Sequence, residues 1–403
     1  MSKSKVLGST LIIAGTTIGA GMLALPLASA GIGFSTSLTI MTVLWALMAY
    51  TALIMVELHQ HADSDATLHT LAKQILGKKG KYLASFAMLF LFYSLCAAYI
   101  AGGGSQFNQR LDQWFGLQLS AASGTVIFTL FVAAIVVVGT ATVDKVNRVL
   151  FTLKLIAMAT VLLFLAPNVT QSYLLSMPIQ QGLIVAAIPV IFTSFGFHGS
   201  IPAIVRYLDG DTPALRKAII IGSAIPLVIY IFWQLVTLGV VSQSELVDNQ
   251  GLAALISTLS TTVQQNNISA IIGLFADLAL LTSFLGVSLG LFEFLGDSIS
   301  KEKNSRLITG LITFTPPMCF ALFYPQGFIM ALGYAAIALA ILAIFLPVVM
   351  IHKVRRTVHN DPQRNVSYRV GGGNAGLVFC VGAGVMIVSA QILITLGVLP
   401  ALG

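Results

Sequence analysis

The sequence predicts an all-α integral membrane protein of about eleven transmembrane helices. Three observations carry that expectation. Charged residues are only 9% of the 403-residue chain and hydrophobic residues 57%, whereas soluble domains carry about a quarter charged residues. Apolar runs of about 20 residues, the length that crosses a bilayer, recur along the whole chain. Two of these runs, at corresponding places, are interrupted by glycines, hydroxyl residues and a following proline.

Spans are expected at 7–30, 35–57, 82–104, 121–140, 148–167, 181–205, 218–242, 269–295, 307–324, 327–350 and 375–398. With the N-terminus in the cytoplasm and sides alternating, the outer loops receive only Arg110 and one span holds Lys154. Every other Lys and Arg falls inside. Such a skew is what the positive-inside rule demands, and it places the C-terminus outside. The net charge of +7 therefore reflects membrane topology and gives no reason to expect nucleic acid as a partner. The stretch "ATLHTLAKQIL" (66–76) has helical apolar spacing and is expected along the inner surface. "VGGGN" (370–374) reads as a turn before the last span. Cys96, Cys319 and Cys380 all fall in apolar runs and are expected to be inert core residues.

The first interruption is "AGTTIGAGMLALP" (14–26) and the second "FTSFGFHGSIP" (192–202). Glycine lowers helix stability by about 1 kcal/mol per residue in water. Non-helical backbone at membrane depth is tolerated where protein buries it or a polar cavity meets it. Five spans precede the sixth, so the two interruptions open two halves of five helices. Five is odd, so the second half enters from the opposite side. This is the pattern of an inverted-repeat secondary transporter, with repeat one over 7–167, repeat two over 181–350 and an extra helix over 375–398. Close helix packing is the competing explanation for the glycines.

The motifs "GTTIGAGMLALP", "FTSFGFHGSIP", "FADLALLTSFLGVSLGLFEFLGD" (275–297) and "FALFYPQGFIMALGYA" (320–335) resemble the hydroxy and aromatic amino acid permease family. That resemblance implies a LeuT-type fold in a bacterial inner membrane, importing an amino acid, tyrosine foremost, together with protons. Tryptophan, phenylalanine and small hydroxy amino acids remain alternative substrates, and sodium an alternative coupling ion. The resemblance places the substrate carboxylate on the amides of Gly19, Ala20 and Gly21. It places the ammonium near carbonyls of Ala14 to Thr16, Gly15 between them, and of Thr193 to Phe195 in the second stretch, with Gly196 a further substrate-binding candidate. Phe195 and Phe197 are candidates for the walls of an aromatic slot, and Tyr93 for a further contact.

Ionisable groups inside a membrane are costly and usually functional. Lys154, His198 and Asp277 lie within spans, and Glu57 and Glu293 near inner ends. Ala279, Thr282 and Ser283 share one helix face. In sodium-coupled relatives of the fold this face resembles an ion site, opposite carbonyls of Gly15 and Ile18. In some proton-coupled relatives a fifth-span lysine takes the ion's place, and Lys154 has a suitable depth. A lysine snorkelling to the surface is the alternative. Asp277 lies five residues before Thr282, about 140° round the helix. It is a candidate for a proton relay or for a bond to a neighbouring helix. His198 is a candidate relay, substrate contact or brace. Glu57 and Glu293 read as interfacial caps or inner-gate charges.

No metal or cofactor is expected. The GxxxxGK[ST] loop of a primary pump and the HExxH motif of metalloenzymes do not occur, and the one GxSxG match, "GVSLG" (286–290), lies inside a long apolar run and not at a strand-to-helix turn. A channel would show a continuous polar lining, and only isolated polar groups are present.

Overall fold

The computed structural model describes residues 3–62, 66–117, 119–248, 251–262, 266–296, 305–359 and 368–402. In order, its α-helices are α1 (Lys3–Thr17), α2 (Gly21–Ser29), α3 (Phe34–His59), α4 (Leu68–Phe115), α5 (Ala121–Val138), α6 (Thr140–Leu165), α7 (Gln171–Leu174), α8 (Gln181–Thr193) and α9 (Ile201–Tyr207). Then follow α10 (Thr212–Val240), α11 (Gln243–Asp248), α12 (Leu252–Thr262), α13 (Asn266–Gly296), α14 (Ser305–Phe323), α15 (Phe328–Ala340), α16 (Leu346–His359) and α17 (Gly373–Thr395). No strand occurs among the described residues. Ten helical stretches are long and apolar enough to cross a membrane, or eleven when α1 and α2 count as one bent span.

Local chemistry sets the boundaries. Thr67, Ser120 and Asp211 cap α4, α5 and α10 with side-chain oxygens that accept from the amides of Thr70, Ser123 and Ala214. Gly139, at φ 147°, separates α5 from α6 almost without a loop. The inner-surface helix expected over 66–76 begins at Leu68 and runs into the third span. Gly77, at φ 75°, provides the only non-helical residue between them, a conformation that costs other residues more. Lys353 Nζ donates to the Ile75 carbonyl at that turn. The third span also continues beyond its expected end, to Phe115, where Gly116 at φ 63° caps it. Arg110 is therefore a helix residue and not a loop residue. Likewise the connection between the expected spans 218–242 and 269–295 contains the helices α11 and α12.

Packing relies on close approach, since apolar burial alone does not drive helices together in lipid. A Cβ on Gly222 of α10 would lie 2.8 Å from Ile13 Cβ and 2.9 Å from the Thr10 carbonyl of α1. α13 lies against α6 and α4, and α15 against α4 and α8. The largest fully buried side chains include Trp233, Tyr230, Phe192, Phe195, Phe197, Phe275 and Phe284. Cys96 and Cys380 are buried as expected, but Cys319 is exposed. It sits on an outward face of α14, beside exposed apolar residues such as Leu311 and Phe323. An apolar run alone does not reveal which of its faces meets lipid.

Candidate functional site

Both predicted interruptions are real breaks. α1 and α2 meet at 52°, with Ile18, Gly19 and Ala20 between the two helices. α8 stops at Thr193, and the chain re-enters helix only at His198. Several backbone groups near the first break meet side chains from elsewhere. Tyr230 Oη of α10 donates to the Thr17 carbonyl at 2.6 Å and lies 3.1 Å from the Ser194 carbonyl. One hydroxyl thus ties the two breaks together. Lys154 Nζ of α6 donates to the Ile18 carbonyl at 2.9 Å. The Ala20 amide donates to Ser283 Oγ of α13 at 2.8 Å. Ser194 Oγ lies 3.1 Å from the Gly21 carbonyl.

Lys154 is 2% exposed, so it does not snorkel. Its ammonium also donates to Thr282 Oγ1 at 3.2 Å. The Thr282 hydroxyl can accept because its own hydrogen goes to the Leu278 carbonyl at 2.8 Å. The Phe151 ring lies 4.4 Å below the ammonium, within cation–π range. No carboxylate pairs with Lys154 among the described residues. The cation is held by a carbonyl, a hydroxyl and a ring face.

The structure brings Thr16, Gly15 and Ala14 into the last turn of α1, where the Ala14 carbonyl still accepts the Ile18 amide at 2.9 Å. Thr16 Oγ1 is turned back onto the Ile12 carbonyl. Ser283 answers the break and not the lysine. Thr193 Oγ1 reaches the Leu332 carbonyl of α15 at 3.0 Å, and a Cβ on Gly196 would lie 3.2 Å from Leu339 Cδ2. Phe195 packs edge-on to Tyr230, centroids 5.4 Å apart. Phe197 lies against the His198 ring at 5.1 Å.

Two candidates, Tyr93 and Asp277, lie apart from this cluster. Tyr93 donates to the Ile312 carbonyl of α14. Asp277 accepts from Arg110 Nε at 2.8 Å. A side chain on Gly273 would collide with that guanidinium, so this glycine opens the path for Arg110 across α13. His198 Nε2 lies 2.9 Å from Thr51 Oγ1 of α3, and its Nδ1 has no partner. Near the other end of the bundle, Glu57 is 2% exposed and takes a two-pronged bond from Arg355, Nε to Oε1 at 2.8 Å and Nη2 to Oε2 at 2.7 Å. The Val370 amide adds a third donor at 2.8 Å. Glu293 accepts from Thr140 Oγ1 at the start of α6.

The sequence reading missed Tyr230, Phe151 and the role of the Ser194 hydroxyl. Tyr230 had a signal, a polar tip in the middle of the apolar run "LVIYIFW". Gln234, one turn on, had the same signal. Its Nε2 bonds Ser29 Oγ at 2.6 Å and Ser37 Oγ at 2.8 Å, which fastens α2 and α3 to α10.

A family model described as the tryptophan/tyrosine permease family matches residues 2–391. The chain belongs to that family. The permease is 47% identical to tyrosine-specific transport system 1 of Haemophilus influenzae, over 98% of this chain and 99% of that one. It is 35% identical to the tryptophan-specific transport protein of the same organism, over 97% and 96% of the two chains. Glutamine transporter 2 of Aliivibrio fischeri is 32% identical, over 96% and 99%. The permease therefore matches its relatives from end to end, as a multi-pass membrane protein of an amino acid permease family.

Proposed function

We propose that the permease imports tyrosine across the bacterial inner membrane by proton symport with alternating access. The observation that carries the coupling is the Lys154 ammonium seated on the Ile18 carbonyl and the Thr282 hydroxyl. Protonated, it fastens α6 and α13 to the first break. Deprotonated, it loses its charge-assisted hold, and the break is free to rearrange. Binding and release of one proton thereby bias the break between two arrangements. The tyrosine preference rests on the 47% relative, whose name states it.

In this reading residues 7–167 and 181–350 are the two inverted repeats of a LeuT-type fold, and 375–398 is the extra helix. The N-terminus faces the cytoplasm and the C-terminus the periplasm, as the skew in basic residues requires. The substrate carboxylate takes the amides of Gly19 to Gly21. Two oxygens stand there in the resting arrangement: Ser283 Oγ on the Ala20 amide and Tyr230 Oη beside Gly19. A carboxylate would replace such oxygens with a full negative charge at the start of α2, where the helix dipole favours it.

The test is uptake of labelled tyrosine by purified protein in liposomes, with proton and sodium gradients imposed separately. Accumulation under an inward proton gradient without sodium supports the reading. Accumulation that needs sodium and ignores the proton gradient overturns the coupling, and absence of saturable tyrosine uptake overturns the substrate.

A further inference from the structure

The His198 imidazole is 4% exposed and lies directly after the second break, yet one of its ring nitrogens has no partner among the described residues. Buried polar atoms in native proteins are nearly always paired, so an orphan asks for a partner. Which nitrogen carries the hydrogen follows from Thr51. Its hydroxyl has one hydrogen and lies 3.2 Å from the Met48 carbonyl in its own helix. That carbonyl can only accept, so the hydrogen points there. Thr51 Oγ1 is then an acceptor for His198 Nε2–H, 2.9 Å away. A neutral imidazole has one N–H and one lone pair. The lone pair is on Nδ1, the atom without a partner.

Two neighbours show what kind of group could reach it. The Phe197 ring lies against the imidazole, centroids 5.1 Å apart. Gly199, next along, is exposed, and a Cβ there would meet nothing within 4 Å. An aromatic wall and a buried lone acceptor therefore adjoin after the second break, and open space begins at the next residue. A planar ring that ends in a hydrogen-bond donor suits that combination. The ring of phenylalanine offers no donor.

We infer that His198 Nδ1 accepts the hydroxyl hydrogen of a tyrosine substrate and thereby sets the preference for tyrosine over phenylalanine. This inference rests on tyrosine being carried. A site built to bond a hydroxyl rejects the analogue lacking it far more strongly than an apolar pocket separates two hydrocarbons, because the site's own polar atom is left unpaired. His198 is then a specificity residue. It has no direct bond to Lys154, whose contacts are Ile18, Thr282 and Phe151.

The test measures competition against labelled tyrosine in liposomes by unlabelled tyrosine, phenylalanine, O-methyltyrosine and 4-aminophenylalanine. In the unchanged protein, tyrosine and 4-aminophenylalanine, which both donate a hydrogen, should compete well. Phenylalanine and O-methyltyrosine, which cannot, should compete poorly. His198→Leu should weaken tyrosine toward the level of phenylalanine while phenylalanine holds or improves. If His198→Leu fails to reach the membrane, His198→Gln, which keeps a polar group against Thr51, should narrow the gap between tyrosine and phenylalanine. A tyrosine-to-phenylalanine ratio unchanged in the variant that inserts overturns the inference. So does an equal loss of both ligands, which would make His198 a brace for the break. Failure of the unchanged protein to take up tyrosine is a different result and strikes the proposed function itself.

Discussion

Lys154 Nζ and the Ile18 carbonyl meet at 2.9 Å, joining the middle of α6 to the first residue beyond α1. Because the ammonium has no carboxylate partner among the described residues, its proton is its main tie to the break. Lys154→Ala should therefore abolish proton-driven accumulation and leave substrate binding detectable. Two measurements check it: accumulation under an inward proton gradient, and binding of labelled tyrosine in detergent. Unchanged accumulation would remove Lys154 from the coupling step.

The lysine was legible because a charge in an apolar run has few explanations, and "LFTLKLIAMA" sets it six residues inside the expected span 148–167. Both breaks were legible because glycines, hydroxyls and a following proline cluster together at corresponding places in two spans. The partners were not legible. Nothing local in the sequence says that Tyr230 reaches two carbonyls 213 and 36 residues away. Asp277 illustrates the limit most clearly. Its angle on α13 correctly set it apart from Thr282. Its partner could not be foreseen, because Arg110 was assigned to a loop and the helix was not expected to continue through it.

That ion pair gives a second prediction. With Arg110 as its partner, Asp277 acts as a brace between α4 and α13. Asp277→Asn should lower the thermal midpoint in detergent and leave the pH dependence of tyrosine uptake in place. Gly273→Ala should do the same, since its methyl group would occupy the place of the Arg110 guanidinium. Normal stability with a lost pH dependence in Asp277→Asn would return this carboxylate to a relay role.

Glu57 and Arg355 bury an ion pair at side-chain exposures of 2% and 8%. Removing one member of such a pair leaves the other charged and unpaired, at a cost of about 3–5 kcal/mol. Glu57→Gln should thus lower the thermal midpoint sharply. The double variant Glu57→Gln, Arg355→Gln should recover much of the loss, because neither side chain is then charged. Thermal unfolding of the two single variants and the double variant forms a cycle that isolates the pair. Additive losses would mean that the pair contributes no coupling. The Val370 amide bonded to the same carboxylate makes the approach to α17 the first region expected to loosen, which hydrogen exchange at residues 368–372 would report.

The last prediction separates two uses of the glycines in the first break. A Cβ on Gly21 would lie 3.1 Å from Ser194 Oγ and 3.2 Å from Ser194 Cα. Gly21→Val should therefore abolish uptake through packing alone, whether or not a carboxylate comes near. Gly19 is more informative. A Cβ there would meet Ser283 Oγ at 2.9 Å, and that atom belongs to a small side chain that can be removed. If Gly19 only makes room for the serine, Ser283→Ala should rescue Gly19→Ala. If the Gly19 to Gly21 amides receive a carboxylate, the methyl group still blocks its approach, and the double variant should stay inactive. Tyramine, which lacks the carboxylate, should then compete weakly with tyrosine in the unchanged protein, because the amides would face no anion. Surface abundance of each variant, uptake by the Gly19→Ala, Ser283→Ala pair, and tyramine competition decide between the two. Rescue of transport together with strong competition by tyramine would leave these glycines as packing residues, and the carboxylate would have to be sought elsewhere.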